Sequence, residues 1–456
     1  MQAWIFGAAW MYIINGVALT QFAKQLHMPN FGFGLLAAIP FAGALFQLPV
    51  SYLVERFGYR KRFFVIIGAI HRGLWILVAL VPWLMPVAWA WAGLLVMVGL
   101  SLVIGQMGLP VWVSWMADLV PVPIRGRYFS RRAQIGQVVG MLVSIPVAYA
   151  LDRAQGGNMM LQTISIAFAI AGLLGILDFV CFLPVSEAQR SPLNPGIRLW
   201  ELVREPLMDR NFRRFLGFTA MLTFATGYVG QFAWLYLLDV AGMSNMQAQM
   251  MLVFVPLLIF IVFYPIWGRL VDRLGRKPVL LIAGALIVPG SLAWIFVTRE
   301  HWFWGYLGIV LVTAAWPGID LANFNILLSL ADPQQNGPRK SSGYVAVNSA
   351  LSAVAGVLSG VFGGAVAEMM RDWHGKLFGW PLTYHGVLFI ISGGLRLLAL
   401  SFLTDLEDSR AHTTQAALRY MGANLYSNLQ QAIYIPGRLL SQLGRWTYKI
   451  NPRGRR

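Results

Sequence analysis

Charge is scarce in this chain. Asp, Glu, Lys and Arg make up only 12% of its 456 residues, about half the share of an ordinary soluble domain, while 58% are hydrophobic. A water-soluble fold has no way to hide so much apolar surface, whereas a bilayer needs runs of about 20 apolar residues per helix. The mean hydropathy of +0.63 agrees, so the chain reads as a membrane protein that crosses many times. Cysteine is scarcer still: Cys181 is the single one and lies in an apolar segment. No disulfide can form within the chain, and neither redox chemistry nor a thiolate metal site is expected. The six histidines are scattered without metal-ligand spacing, and there is no Gly-x-x-x-x-Gly-Lys-Ser/Thr phosphate loop. No enzyme, no metal, no cofactor and no ATP-driven pump are therefore expected. The two-residue alternation of a membrane β-barrel is missing as well.

What the sequence does contain is long apolar runs. They fall at 3–22, 31–53, 63–84, 88–117, 132–151, 160–184, 214–238, 248–270, 278–298, 302–330, 343–367 and 385–404, which predicts twelve helical spans. The apolar run from Trp4 is too long for a signal peptide and lacks a basic start and a small-residue cleavage site. The first span is thus expected to act as its own insertion signal.

The formal net charge of +17 invites a nucleic-acid reading, but the basic residues sit where membrane topology wants them. Most of the 35 Lys and Arg fall in the loops after even-numbered spans and in the C-terminal tail. The opposite loops hold only Lys24, Arg153, Arg299, Arg371 and Lys376, and Arg72 and Arg396 lie inside spans. Positive charge stays cytoplasmic, so both termini are expected inside a plasma membrane, as in a bacterial inner membrane, with no nucleic-acid partner.

Two stretches are near copies. Ser51-Tyr-Leu-Val-Glu-Arg-Phe-Gly-Tyr-Arg-Lys61 and Gly268-Arg-Leu-Val-Asp-Arg-Leu-Gly-Arg-Lys-Pro278 each join two apolar runs. Glu55, Arg56 and Gly58 align with Asp272, Arg273 and Gly275 at a constant offset of 217 residues. The repeat reaches further at an offset of 214, where Asp118 pairs with Asp332 and Gln134 with Asn348. A repeated half of this size in an apolar chain points to a transporter built from two similar bundles. The predicted organisation is an N-terminal bundle (1–185), a proline-bearing charged linker (186–213), a C-terminal bundle (214–405) and a tail (406–456). In the tail, Leu418, Met421, Leu425, Leu429 and Ile433 recur at helical spacing, with basic residues following. It reads as an amphipathic helix on the anionic inner leaflet, with docking to a partner protein the other reading.

The repeated hairpin resembles the cytoplasmic loop signature of the major facilitator superfamily, Gly-x-x-x-Asp-Arg-x-Gly-Arg-Lys/Arg. The second copy matches at every defining position, and the first departs with Ser51, Glu55 and Tyr59. The resemblance covers nearly all of 1–405. It implies an all-α membrane protein of twelve transmembrane helices in two pseudo-symmetric six-helix bundles, moving a small-molecule solute by alternating access. It further implies that Glu55, Arg56, Gly58, Arg60, Gly268, Asp272, Arg273, Gly275, Arg276 and Lys277 form a cytoplasmic latch, with Asp118, Arg125, Arg127, Asp332 and Arg339 as partners. A basic loop that merely sets topology would explain the arginines but not the repeated acid and glycine. A non-transporting scaffold or sensor that kept the fold is the alternative function.

Polar side chains deep in a bilayer cost several kcal/mol unless they face protein or water, so each is a functional candidate. Arg72 stands about ten residues into span 3, roughly 15 Å deep, and both substrate contact and a structural ion pair suit it. Asn15, Gln106, Gln231 and the pair Asp320 and Asn323 fall on spans 1, 4, 7 and 10, the cavity-lining helices in the superfamily. Trp10, Tyr12, Tyr228, Trp234 and Trp316 are aromatic candidates for the same lining. Asp178 and Arg396 lie towards span ends, within reach of the interface, and read as structural. Asp320 is the best candidate to carry a proton as coupling ion. The superfamily's span-5 antiporter signature, Gly-x-x-x-Gly-Pro-x-x-Gly-Gly, is missing around Gly136 and Gly140.

Overall fold

The computed structural model describes residues 1–456 apart from 48, 51–59, 155, 187–198, 331–332 and 408–456. It describes the backbone but not the side chains of 60, 114, 117–118, 122–123, 125–127, 130, 199–202, 205 and 333–342.

Long apolar stretches without a water-exposed face fold as helices, because in lipid every backbone N–H and C=O must bond within its own segment. The first half is built from α1 (Gln2–Ile14), α2 (Val17–Gln25), α3 (Asn30–Ala44), α4 (Arg60–Leu84), α5 (Val87–Leu119), α6 (Val122–Arg153) and α7 (Gly157–Val180). A short α8 (Leu199–Met208) leads into the second half. There follow α9 (Arg210–Gly227), α10 (Phe232–Leu235), α11 (Asn245–Gln249), α12 (Val255–Leu274), α13 (Arg276–Leu292), α14 (Phe303–Leu330), α15 (Pro333–Met369) and α16 (Tyr384–Ser401). Among the described residues nine helices are long and apolar enough to cross a membrane, ten when the bent pair α1–α2 counts as one span. The two further predicted spans are shorter helices: α3, and α9 interrupted at Tyr228–Gln231 before α10.

Glycine marks several of the breaks. α1 and α2 meet at 43° across Asn15 and Gly16, and Gly16 has φ +81°, a conformation that favours glycine. The equivalent span of the second half breaks at Tyr228–Gln231, so Asn15 and Gln231 each sit in an interruption. The span holding α11 and α12 contains one π-helical turn, Met250–Phe254, and Tyr236–Val240 ends the preceding span with another. Gly275, at φ +91°, closes α12 and opens α13 directly, the tight turn expected for the hairpin glycine.

The sequence reading missed one hairpin. His374–Leu377 pairs antiparallel with Trp380–Thr383, turning on Phe378 and Gly379, both with positive φ. The non-glycine Phe378 hid the turn signal, and its exposed ring suits the aromatic belt of a membrane surface.

The packing differs at the two ends of the spans. At the end away from the basic loops, one core runs unbroken through both halves, from Trp10, Phe22 and Phe168 to Phe232, Tyr236 and Phe389. Towards the basic end the core divides. Phe64, Val111 and Trp115 pack within the first half, and Phe212, Trp267, Leu280 and Leu403 within the second. Among the described residues the buried core is therefore shared by both halves at the far end and divided between them at the basic end.

Candidate functional site

The far-end seal is bonded across the two halves at many points. α3 and α15 cross so closely that a Cβ on Gly34 would collide with the Gly360 carbonyl oxygen and with Gly364. Around them Asn30 donates to the Ala367 carbonyl at 3.2 Å and Tyr384 to Asn30 at 3.2 Å. Asp152, at the end of α6, accepts from the backbone N–H groups of Asn245 at 2.7 Å and Met246 at 3.0 Å, and from the Asn245 amide at 3.0 Å. A carboxylate there answers the positive, unsatisfied N-terminus of α11. Gln21 donates to Asn245 at 2.6 Å, and Lys24 pairs with Asp239. Every one of these contacts joins the first half to the second.

The interrupted spans take part in this seal. Freed by the break at Gly16, the Val17 N–H donates to Gln249 of the facing half at 3.3 Å. Thr20 donates to the Gly16 carbonyl at 3.2 Å and reaches Gln231 at 3.5 Å. Asn15 turns back to the Met11 carbonyl at 2.8 Å and is exposed. Gln106 accepts from Gln47 at 2.7 Å. In the second half Asp320 is exposed rather than enclosed, and accepts a 2.9 Å hydrogen bond from Tyr264 of the neighbouring span. Asn323, one turn on, holds a buried side-chain oxygen with no partner among the described residues.

Arg72 lies elsewhere. It is inside the first bundle, 8% exposed, with its guanidinium 3.4 Å from the Trp10 ring centroid. Its Nη2 stands 3.4 Å from Asp178 Oδ2. Small residues make room: a Cβ on Gly7 would strike Asp178, and one on Gly175 would strike the Arg72 side chain. Beside the pair, His71 Nδ1 lies 2.6 Å from the Ser101 carbonyl, and Trp75 donates to the Ser101 hydroxyl at 2.9 Å. Two expectations are corrected here. Asp178 is buried at the ion pair instead of reaching the interface. Arg396 is likewise buried, 6% exposed, and donates to the Ile287 carbonyl at 3.3 Å. Helical burial is set by the packing of neighbouring spans, which distance from a span end does not report.

Of the predicted latch, the second copy is the describable part. Asp272 and Arg273 are exposed in the last turn of α12, and Lys277 donates to the Thr404 carbonyl at 2.7 Å. Gly268 is loosely packed, its nearest neighbour to a built Cβ being Leu321 at 3.9 Å. Glu55, Arg56, Gly58 and Asp332 lie outside the described residues, as do the side chains of Arg60, Asp118, Arg125, Arg127 and Arg339.

The family model of the Major Facilitator Superfamily matches residues 3–360. The chain belongs to that superfamily. It is therefore a multi-pass secondary transporter, in which two helical bundles alternate access to a solute. Solved structures agree on the fold at low identity. A crystal structure of the nucleoside transporter NupG is 13% identical, covers 89% of this chain and 96% of its own, and superposes with a TM-score of 0.62. The xylose transporter XylE from E. coli in an inward open conformation is 16% identical, with 92% and 98% covered and a TM-score of 0.64. A bacterial homolog of the human lysosomal transporter Spinster, inward-facing and occupied, is 16% identical, with 88% and 94% covered and a TM-score of 0.65. No curated protein matches the sequence.

Sequence reasoning missed Asp152, Asn245, Gln21, Gln249 and Tyr264. One signal was available: Ser244 and Gln247 form a capping box, with bonds of 3.2 and 2.9 Å, and that spacing marks a helix start. What the start would bind lies on a distant span.

Proposed function

We propose that this transporter carries a small hydroxyl-bearing solute in the gap between its halves, and that the structure is its inward-facing state. The observation that carries this reading is the core that is continuous through both halves at the far end and divided at the basic end. Because basic loops stay cytoplasmic, the divided end is the cytoplasmic one, and both termini lie inside. The basic tail would then rest on the anionic inner leaflet. Interrupted helices at matching places in two repeats are where transporters build their sites, which puts Asn15 and Gln231 beside the solute. The groups offered there are mostly amides and hydroxyls, with one carboxylate. The similar structures include a D-xylose–proton symporter, 19% identical with a TM-score of 0.62.

Asp320 is the carboxylate placed to load and unload a proton, with Tyr264 holding it. In proteoliposomes, Asp320→Asn is expected to abolish accumulation driven by a pH gradient, while exchange of solute down its own gradient persists. Equal gradient-driven accumulation in variant and parent would remove Asp320 as the carrier.

At the cytoplasmic end, Asp272→Asn is expected to leave insertion intact and to slow transport severalfold, because it removes the acid of the latch. Full transport at equal expression would dismiss the latch role.

A further inference from the structure

We propose that the first bundle contains a second binding site, within one half rather than between the two, for an anionic headgroup on an apolar chain. A cavity of about 650 Å³ opens among α1, α4, α5, α6 and α7, and all its lining residues belong to the first half. Arg72, Arg132 and Trp4 line it on one side, and Phe64, Ile67 and Leu109 are among its apolar walls. The volume falls in the range of small-molecule sites, about 300–1,000 Å³.

The chemistry of the polar wall selects the ligand. Arg72 presents five N–H donors, and its single ion pair with Asp178 occupies Nη2 at 3.4 Å. Its Nε and Nη1 are buried without a partner among the described residues, as is the indole N–H of Trp4. Arg132 lies with its guanidinium 3.5 Å from the Trp4 ring centroid and 4.6 Å from that of Trp112. Asp178, the one carboxylate among the described residues lining the cavity, interacts electrostatically with both arginines. Among the described lining residues two guanidinium groups thus face one carboxylate, and the unsatisfied polar atoms are all donors. A buried donor left unmade is costly, so the missing element is an acceptor carrying negative charge. Carboxylates and phosphates answer arginine forks best. The aromatic and aliphatic walls around it match a hydrocarbon chain and would gain nothing from a small hydrated anion.

Equilibrium binding of radiolabelled dodecanoate to the full-length protein in neutral maltoside micelles, with protein-free micelles subtracted, tests the assignment. Saturable binding is expected at one site, about tenfold weaker in Arg72→Gln and in Arg132→Gln. Should Arg72→Gln fail to fold, the double variant Arg72→Gln/Asp178→Asn and the single Arg132→Gln still carry the test. Displacement by an anionic phospholipid would support the site and name a membrane lipid as its source. Displacement by free decanoic acid but not by the phospholipid would support a soluble long-chain anion as its source. Three results would overturn it: competition by dodecanol equal to that by dodecanoate, displacement by inorganic phosphate or acetate at the same concentrations, or unchanged affinity in both arginine variants.

Discussion

Arg72→Ala is expected to destabilise the assembled transporter by about 3–5 kcal/mol, the cost of stranding one member of a buried ion pair. Asp178 is only 5% exposed and loses its direct partner, while Arg132 is engaged with the rings of Trp4 and Trp112. The cation–π contact with Trp10 is lost in the same step, and such contacts contribute up to about 2 kcal/mol when desolvated. Arg72→Gln/Asp178→Asn, which removes both charges and keeps hydrogen-bonding shape, should recover most of the loss, because breaking a pair costs more than replacing it. Arg396 supplies the contrast. It is equally buried, yet its described bond is to a carbonyl, that of Ile287, so Arg396→Met strands no carboxylate and should cost much less. Unfolding temperatures of the three purified variants against the parent decide the matter. If Arg72→Ala melts with the parent, the pair is a spectator and the bundle is held by its apolar packing alone.

The architecture was legible because its signals are local. Twelve apolar runs, the hairpin repeated at 217 residues and the skew of basic residues each lie within a short window of sequence. Helix interruptions were not read: Asn15 and Gln231 stood out only as polar residues inside spans 3–22 and 214–238, which read as unbroken. What stayed hidden was partnership across the fold. Arg72 and Asp178 are 106 residues apart, and Gln249 and Val17 are 232 apart. No periodicity connects such residues; only the packing of one helix against another does. The same limit explains Asp320. Its place on span 10 was correctly read as polar, but the sequence could not show that it faces open space and leans on Tyr264. Polar residues in spans announce that they need a partner, and the fold decides which.

Gly34→Val should cost transport tenfold or more with the protein still inserted. The far-end seal rests on backbone-to-backbone approach between α3 and α15. A Cβ on Gly34 would meet the Gly360 carbonyl and the Gly364 backbone, and a Cβ on Gly360 would come to 2.8 Å from the Ala38 backbone nitrogen. Neither neighbour is the movable end of a side chain, so the helices must part, and small residues at such crossings exist to let them touch. Parting the far end would remove the proposed inward-facing state in favour of one open on the other side, since packed interfaces switch between discrete arrangements instead of bending. The capping of α11 by Asp152 would be lost with it, which deepens the bias. A cysteine at Ala37, which is half-buried beside Gly230, reports the change in a Cys181→Ser background. Labelling from outside by a membrane-impermeant maleimide should be slow in the parent and fast in Gly34→Val. Gly394→Ala is the control, because a Cβ there meets nothing within 4 Å, and it should leave both transport and labelling unchanged. Slow labelling together with full transport in Gly34→Val would show that the seal closes without this crossing.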